Sequence, residues 1–360
     1  MKGFELLSSQ NSFVKDDNIF LASFRETAQF HYNNNAFIKF LWDKNAINPK
    51  DINSVQDLES APYTLVNIFK DFEQITGPYS EIVLTLGSSG TSGQRSLIHL
   101  NLESLDNVKK MAYKIHKDLK IVDDQKYNYL CFTYDPKIAN DVGTAFTDEL
   151  LTSFTQKNEV YYALEFDNKK NDFTFDVNKV IQKLKDYAQE DIPVRILGFP
   201  AFLYKTICEM KESLILPENS WVQTGGGWKT EQNLMLDKFK FRDLVYKKLN
   251  ILPQNNRDMF GMVEHGVPYL DCEQGKMRIP NFSRVLIRDP KTLKVLKDGE
   301  KGILQLICTY NTSYPAFNLL TTDWAVKNKD DSGEYIEILG RGGVNKNKGC
   351  ALKALEVMRA

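Results

Sequence analysis

The strongest constraint on this chain is an alternation running from about residue 129 to 249. Short apolar runs at 129–133, 159–166, 193–199 and 221–224 read as strands, and the stretches at 138–155, 176–189, 201–213 and 231–249 read as helices. Strands separated by helices of this length imply an α/β core with a largely parallel sheet flanked by helices. Upstream, Ile19, Phe20, Phe24, Ala28 and Phe30 suggest helices between 18 and 45, with aromatics also at Phe37 and Phe40. Residues 82–86 read as a short strand. A helix beginning near Asn101 follows from Leu102, Leu105, Val108, Met111, Ile115 and Leu119 at spacings of three and four.

From about 251 the texture changes. Runs such as Arg284-Val285-Leu286-Ile287 and Ile303-Leu304-Gln305-Leu306-Ile307 are separated by turn signals such as Lys297-Asp298-Gly299-Glu300. The expected organisation is an α/β core at 1–250, a small antiparallel β-rich subdomain at 251–330 and a tail at 331–360. The stretch 328–333 is all polar or glycine and reads as a loop or hinge.

Composition narrows the function classes. Basic and acidic residues number 46 and 47, leaving a net charge of -1. That gives no long-range field to attract nucleic acid or a lipid surface. No apolar run approaches the roughly 18–20 residues that span a bilayer, and Met1-Lys2-Gly3-Phe4-Glu5-Leu6-Leu7 is too polar for a secretory signal. Five cysteines, odd in number and scattered, form no C-x-x-C. That suits a reduced, cytoplasmic protein.

In an open α/β sheet, ligands bind where strands end at the carboxyl edge. Three stretches have that character: 88–93, 224–227 and 260–264. The first, Ser88-Ser89-Gly90-Thr91-Ser92-Gly93, combines hydroxyls with flexible glycines and can wrap phosphate oxygens with backbone N–H groups. It is neither G-x-x-x-x-G-K-[ST] nor G-x-G-x-x-G. Taken alone, it is equally compatible with a flexible surface loop.

The combination of motifs is more specific. The loop resembles the phosphate-binding signature of the adenylate-forming enzymes, which include acyl-CoA synthetases, luciferases and adenylation domains. Gly225-Gly226-Gly227 resembles the small-residue turn that lines the adenine in that family. Met259-Phe260-Gly261-Met262-Val263-Glu264 is similar to its aromatic-Gly-x-x-Glu element, where the aromatic packs on adenine and the glutamate holds magnesium. Thr321-Thr322-Asp323 resembles the element whose aspartate takes the ribose hydroxyls, and Gly340-Arg341 the hinge whose arginine contacts ribose and phosphate. The resemblance implies ATP and Mg2+ as cofactors. It assigns Ser88 to Gly93 to the phosphates, Gly225, Gly226, Gly227, Phe260 and Gly261 to adenine, Asp323 to ribose, Glu264 to the metal and Arg341 to catalysis.

The pattern also departs from the family. Gln94-Arg95-Ser96 stands where x-P-K is usual, which removes a lysine and leaves open whether Arg95 replaces it. Thr322 replaces a glycine, and Gly343 stands where Asp or Lys is usual. The chain ends nineteen residues after Arg341, so the usual C-terminal domain with its catalytic lysine is expected to be absent or truncated.

One short branch resembles this chain over nearly its whole length: the acyl-protein synthetases of the bacterial bioluminescence fatty acid reductase (LuxE-like proteins). In that branch a cysteine near the C-terminus takes the acyl group from acyl-AMP as a thioester and passes it to a reductase. The matching segment is Lys348-Gly349-Cys350-Ala351-Leu352. Lys346, Lys348 and Lys353 nearby favour the thiolate, the nucleophilic form. The resemblance implies a ligase that activates a carboxylic acid, with a fatty acid as the expected substrate, as acyl-AMP, transfers it to catalytic Cys350, and hands it to an acyl reductase or acyltransferase partner. Two alternatives stay open: an adenylating ligase loading CoA or a carrier protein, and a non-catalytic nucleotide- or acyl-binding homologue.

The remaining residues read as structural. His265 is read as a polar loop residue beside Glu264, and His31, His99 and His116 as structural. Cys131, Cys208 and Cys308 read as core and Cys272 as inert. Trp221 and Trp228 flank the glycine turn and read as core or as pocket lining. The run 327–331 reads as a solvated loop.

Overall fold

The computed structural model describes residues 1–88, 95–135, 143–167, 172–228 and 236–341. It opens with helices α1 (Lys2–Ser9), α2 (Asp17–Asn34) and α3 (Ala36–Lys44). Strand β1 (Thr64–Leu65) and the single-turn α4 (Ile68–Asp71) precede β2 (Ile82–Gly87), β3 (Leu97–Asn101) and α5 (Leu102–Asp118). The alternating part follows as β4 (Lys126–Tyr134), α6 (Gly143–Thr152), β5 (Gln156–Asp167), β6 (Asp172–Phe175), α7 (Val177–Tyr187), β7 (Val194–Gly198), α8 (Pro200–Glu209), β8 (Trp221–Gly225) and α9 (Lys238–Leu249). Then come β9 (Asn256–Phe260), β10 (Tyr269–Asp271), β11 (Met277–Arg278), β12 (Ser283–Arg288), β13 (Lys301–Cys308), β14 (Asn318–Asp330) and β15 (Gly333–Arg341).

Helix starts are written locally. The side chains of Asp16, Asn101, Asp176 and Asp237 each accept from first-turn backbone N–H groups of α2, α5, α7 and α9. Helix α9 ends on Asn250 at φ 56, the left-handed conformation that asparagine tolerates.

One large sheet runs in the order β12-β13-β14-β15-β11-β10-β9-β8-β7-β4-β5-β6. Strands β5, β4, β7, β8 and β9 pair in parallel. From the β9–β10 pair outward to β12, pairing is antiparallel. Because β5 lies on one side of β4 and β7 on the other, the winding reverses between β4 and β7. Such a reversal opens a crevice at the carboxyl edge. There, Gly198 pairs with Phe132 at φ +112, and a Cβ on it would come within 2.8 Å of the Phe132 carbonyl oxygen. Glycine is required for that approach.

The apolar side chains fall on both faces of the parallel strands. One cluster packs α7, α8 and α9 on one face. On the other, Tyr127, Tyr129, Cys131 and Leu197 meet Leu151 of α6. The largest cluster joins the N-terminal helices and α5 to the antiparallel strands. Among the described residues, no helix is long and apolar enough to cross a membrane.

One local reading is completed and two change. The apolar run at 82–86 is a strand, but it pairs antiparallel with β3 in a separate two-stranded sheet. Residues 328–330 belong to β14, whose hairpin turn to β15 is only 331–332. The strand looks like a loop in sequence because its partners there are charged: Arg278 and Lys276 bind Asp330, and Lys327 pairs with Asp298 and Glu334. Cys208 is exposed, because α8 turns Phe202, Leu203, Thr206 and Ile207 inward.

Candidate active site

A cavity of about 290 Å³ lies at the carboxyl ends of β4, β7, β8 and β9, at the point where the winding reverses. The β2–β3 hairpin and α5 close it from the other side, through Leu86, Ile98, Leu100, Val108 and Ala112. Helix α6 adds Phe146, Asp148, Leu150 and Leu151.

Several sequence-nominated residues meet on this wall. Ser88 sits where β2 ends, donating its N–H to the Ser96 carbonyl (2.8 Å) and accepting from the Ser96 N–H on Oγ (2.9 Å). Gly225 and Gly226 reach it from β8, and Gly261 and Glu264 from the segment after β9. Gly226 adopts φ +77, and a Cβ there would sit 2.8 Å from the Phe199 ring. Glu264 is 5% exposed. Arg341, the last residue of β15, lines the rim beside Thr322. Asp323 lies opposite Arg341 across the β14–β15 pair and takes its Nε at 3.4 Å.

Three nominated residues do not line the cavity. Phe260 packs beside Tyr269 at a ring separation of 6.1 Å, Gly227 lies just beyond the turn, and Asp323 stands behind the wall residue Arg341. Ser89, Gly90, Thr91, Ser92 and Gly93 lie outside the described residues, as does Cys350.

The sequence reading missed the polar groups of the deeper wall. His116 of α5 is buried; its Nδ1 donates to the Ala112 carbonyl (2.7 Å), and its Nε2 accepts from Gln223 Nε2 (3.0 Å). Burial pushes its pKa down to about 4, so it is neutral at pH 7. The available signal was spacing: Val108, Ala112 and His116 stand four apart on one face of α5. Asp148 is 6% exposed, and burial raises its carboxyl pKa to about 7, with nearby Thr133 opposing part of the rise. Tyr310 and Tyr314, whose hydroxyls are 3.0 Å apart, complete the wall with Lys70 at its edge.

His265 is a core residue rather than a polar loop residue. It is fully buried, its Nε2 hydrogen-bonds the Tyr269 hydroxyl (2.9 Å), and burial pushes its pKa down to about 3. The guanidinium groups of Arg195 and Arg257 both lie over the Trp221 ring, 5.7 and 5.3 Å from its centre. Among the described residues, no group of three or more His, Cys, Asp or Glu could by itself hold a metal ion.

The family of acyl-protein synthetases typified by LuxE matches residues 2–358. The chain belongs to that family. Its relatives include the long-chain-fatty-acid–luciferin-component ligase of Aliivibrio fischeri, 27% identical over 93% of this chain and 87% of the relative. The Vibrio harveyi ligase of the same name is 25% identical over 92% of this chain and 86% of the relative. Among solved structures, 2-hydroxyisobutyryl-CoA ligase in its postadenylation state superposes with a TM-score of 0.70 at 14% identity, over 92% of this chain and 70% of that one. Its open conformation gives a TM-score of 0.66 at 13% identity, over 90% of this chain and 69% of that one. The shared architecture is that of the adenylate-forming ligases.

Proposed function

We propose that this acyl-protein synthetase joins a fatty acid to the α-phosphate of ATP, expelling pyrophosphate, and then takes the acyl group onto the Cys350 thiolate as a thioester, releasing AMP, for delivery to an acyl reductase or other acyl acceptor. The observation carrying this reading is that one cavity combines a polar part lined by Ser88, Gly225, Gly226, Glu264 and Arg341 with an apolar part lined by Leu86, Ile98, Leu100, Val108 and Leu151. A nucleotide fits the first part and an alkyl chain the second.

The chemistry asks little covalent work of the protein. Negative charge spreads over phosphate oxygens in the transition state, so positioning and electrostatics dominate. Arg341 supplies a fixed cation at the rim, oriented by Asp323, which in this reading also accepts from the ribose hydroxyls. Mg2+ fits here as an ion shared with substrate. It keeps waters and phosphate oxygens and needs only one or two carboxylates, and Glu264 is a buried carboxylate on the wall beside the glycine turn. Bound there, the ion would neutralise charge on the phosphates. Residues 1–250 and the β-rich part at 251–330 would bind the nucleotide and acid, and residues 331–360 would carry the acceptor thiol. A cytoplasmic location fits the reduced state a thiol acceptor needs.

Intact-mass measurement after incubation with ATP, Mg2+ and fatty acids tests the reading. An ATP-dependent acyl increment is expected on the wild type and not on Cys350→Ser, with acyl-AMP formed by both. Acyl-AMP without an increment on either protein would exclude Cys350 as acceptor.

A further inference from the structure

We infer that the acid activated by this chain carries a hydroxyl group on its acyl portion, held by Asp148 and Thr133. The inference rests on the proposed adenylation function and narrows its substrate class.

The wall that would face an acyl chain is apolar except at a few points. His116 and Gln223 are not free for a ligand, since the ring nitrogens bind the Ala112 carbonyl and the Gln223 amide. Asp148 and Thr133 differ. Both side chains are buried, 6% and 3% exposed, and both line the cavity; the Thr133 hydroxyl lies near enough to the carboxyl to oppose its pKa rise, yet neither Asp148 Oδ2 nor Thr133 Oγ1 makes a hydrogen bond of good geometry. Asp148 stands on α6 among Phe146, Leu150 and Leu151, which line the same cavity. A buried polar atom without a partner is destabilising, whereas an apolar residue of similar shape would be neutral or better. For a plain alkyl chain, leucine at position 148 would serve better on every count. A carboxyl and a hydroxyl left open on the wall of a binding cavity are suited to a ligand that brings the missing hydrogen bonds.

A hydroxyl is the group that fits both. It donates one hydrogen bond and accepts others, so it can donate to Asp148 Oδ2 and accept from the Thr133 hydroxyl. Burial holds the Asp148 carboxyl near the midpoint of its titration at neutral pH. A hydroxyl pairs with the acid and the carboxylate alike, whereas an ammonium group would need the carboxylate alone. No bond to the hydroxyl forms or breaks; its role is selection. A site built to bond a substrate hydroxyl discriminates strongly against the analogue lacking it, because its own groups are then left unpaired.

The test is ATP–pyrophosphate exchange by wild type and Asp148→Leu, using saturated acids of one chain length. One acid is unsubstituted, and the others carry a single hydroxyl moved from carbon 2 to the terminal carbon. The expected result is that one hydroxy acid exceeds its parent by about tenfold or more in kcat/KM for the wild type. Asp148→Leu should abolish or reverse that ratio while retaining exchange on the parent acid. Equal kcat/KM for hydroxylated and parent acids in the wild type would overturn the inference whether or not the variant folds, with adenylation left standing. An unchanged preference in Asp148→Leu, or in Asp148→Ala if leucine prevents folding, would likewise overturn it and leave Asp148 a structural residue. Absence of exchange with every acid would overturn the adenylation reading itself, and this inference with it.

Discussion

Replacing Gly226 with alanine, and Gly227 in parallel, separates two causes that usually act together. Both residues have positive φ, +77 and +69, so an L side chain at either meets the same left-handed penalty, about 1–2 kcal/mol. The surroundings differ. A Cβ at 226 would lie 2.8 and 2.9 Å from two atoms of the Phe199 ring, while at 227 nothing lies within 4 Å. Phe199 is 3% exposed and packs against Phe202, so its ring has little room to retreat. Overpacking of this kind adds about 1–3 kcal/mol. Gly226→Ala should therefore lose about 2–5 kcal/mol and Gly227→Ala about 1–2 kcal/mol, measured as the shift in urea midpoint at unchanged slope. Since Gly226 and Phe199 both line the cavity, the first variant should also weaken ATP binding by calorimetry more than the second. Equal destabilisation by the two substitutions would refute the contact argument, leaving only the backbone term.

Other residues yield sharper functional contrasts. Arg341→Ala should cut the exchange rate by about 100- to 1,000-fold with little loss of stability, since its side chain is 44% exposed; a large stability loss with exchange intact would reverse the assignment. Glu264→Gln should raise the Mg2+ concentration needed for half-maximal exchange, and an unchanged Mg2+ dependence would remove this residue from the metal site. Asp148 sets a pH signature. Its folded pKa is about 7 and its unfolded value is near the usual carboxylate range, so the folded state holds the proton more tightly. Its contribution is most favourable below about pH 4 and is lost as pH rises through about 7. The stability gained by Asp148→Leu should therefore grow between pH 5 and pH 8 in urea titrations, and a flat difference would contradict the burial argument. The histidines act oppositely. His31, His116 and His265 have pKa values lowered to about 4, 4 and 3, so they favour the folded state less as pH falls below about 6.5. His265→Phe should accordingly flatten acid unfolding, even though the Tyr269 hydroxyl loses a partner.

Much of this architecture is legible in the sequence, and the failures have physical causes. The alternating part reads well because its central strands, β4 above all, are buried on both faces, so their residues form continuous apolar runs such as Leu130, Cys131 and Phe132. The rim reads well too, because backbone geometry restricts residue type: Gly226 must be glycine to pass Phe199. Where pairing partners are distant, the signal fades. Strand β14 runs beyond the core as a ribbon, and its Asp330 is bonded by Arg278 some fifty residues upstream, so residues 328–330 resemble a loop. Strand β2 was found but its sheet was not, since an apolar hexamer does not say whether a hairpin or the parallel sheet receives it. His265 reads as a loop residue for the same reason: the Tyr269 hydroxyl that bonds it, itself bonded to Ser283, is brought into place by the folded antiparallel strands. Asp148 is the hardest case. In sequence it is an ordinary polar residue on a ten-residue helix. Placing that helix over β4 at the reversal of the sheet turns its polar position inward, onto the cavity. A carboxyl there costs stability that an apolar side chain would not, so its presence is better explained by what binds than by what folds.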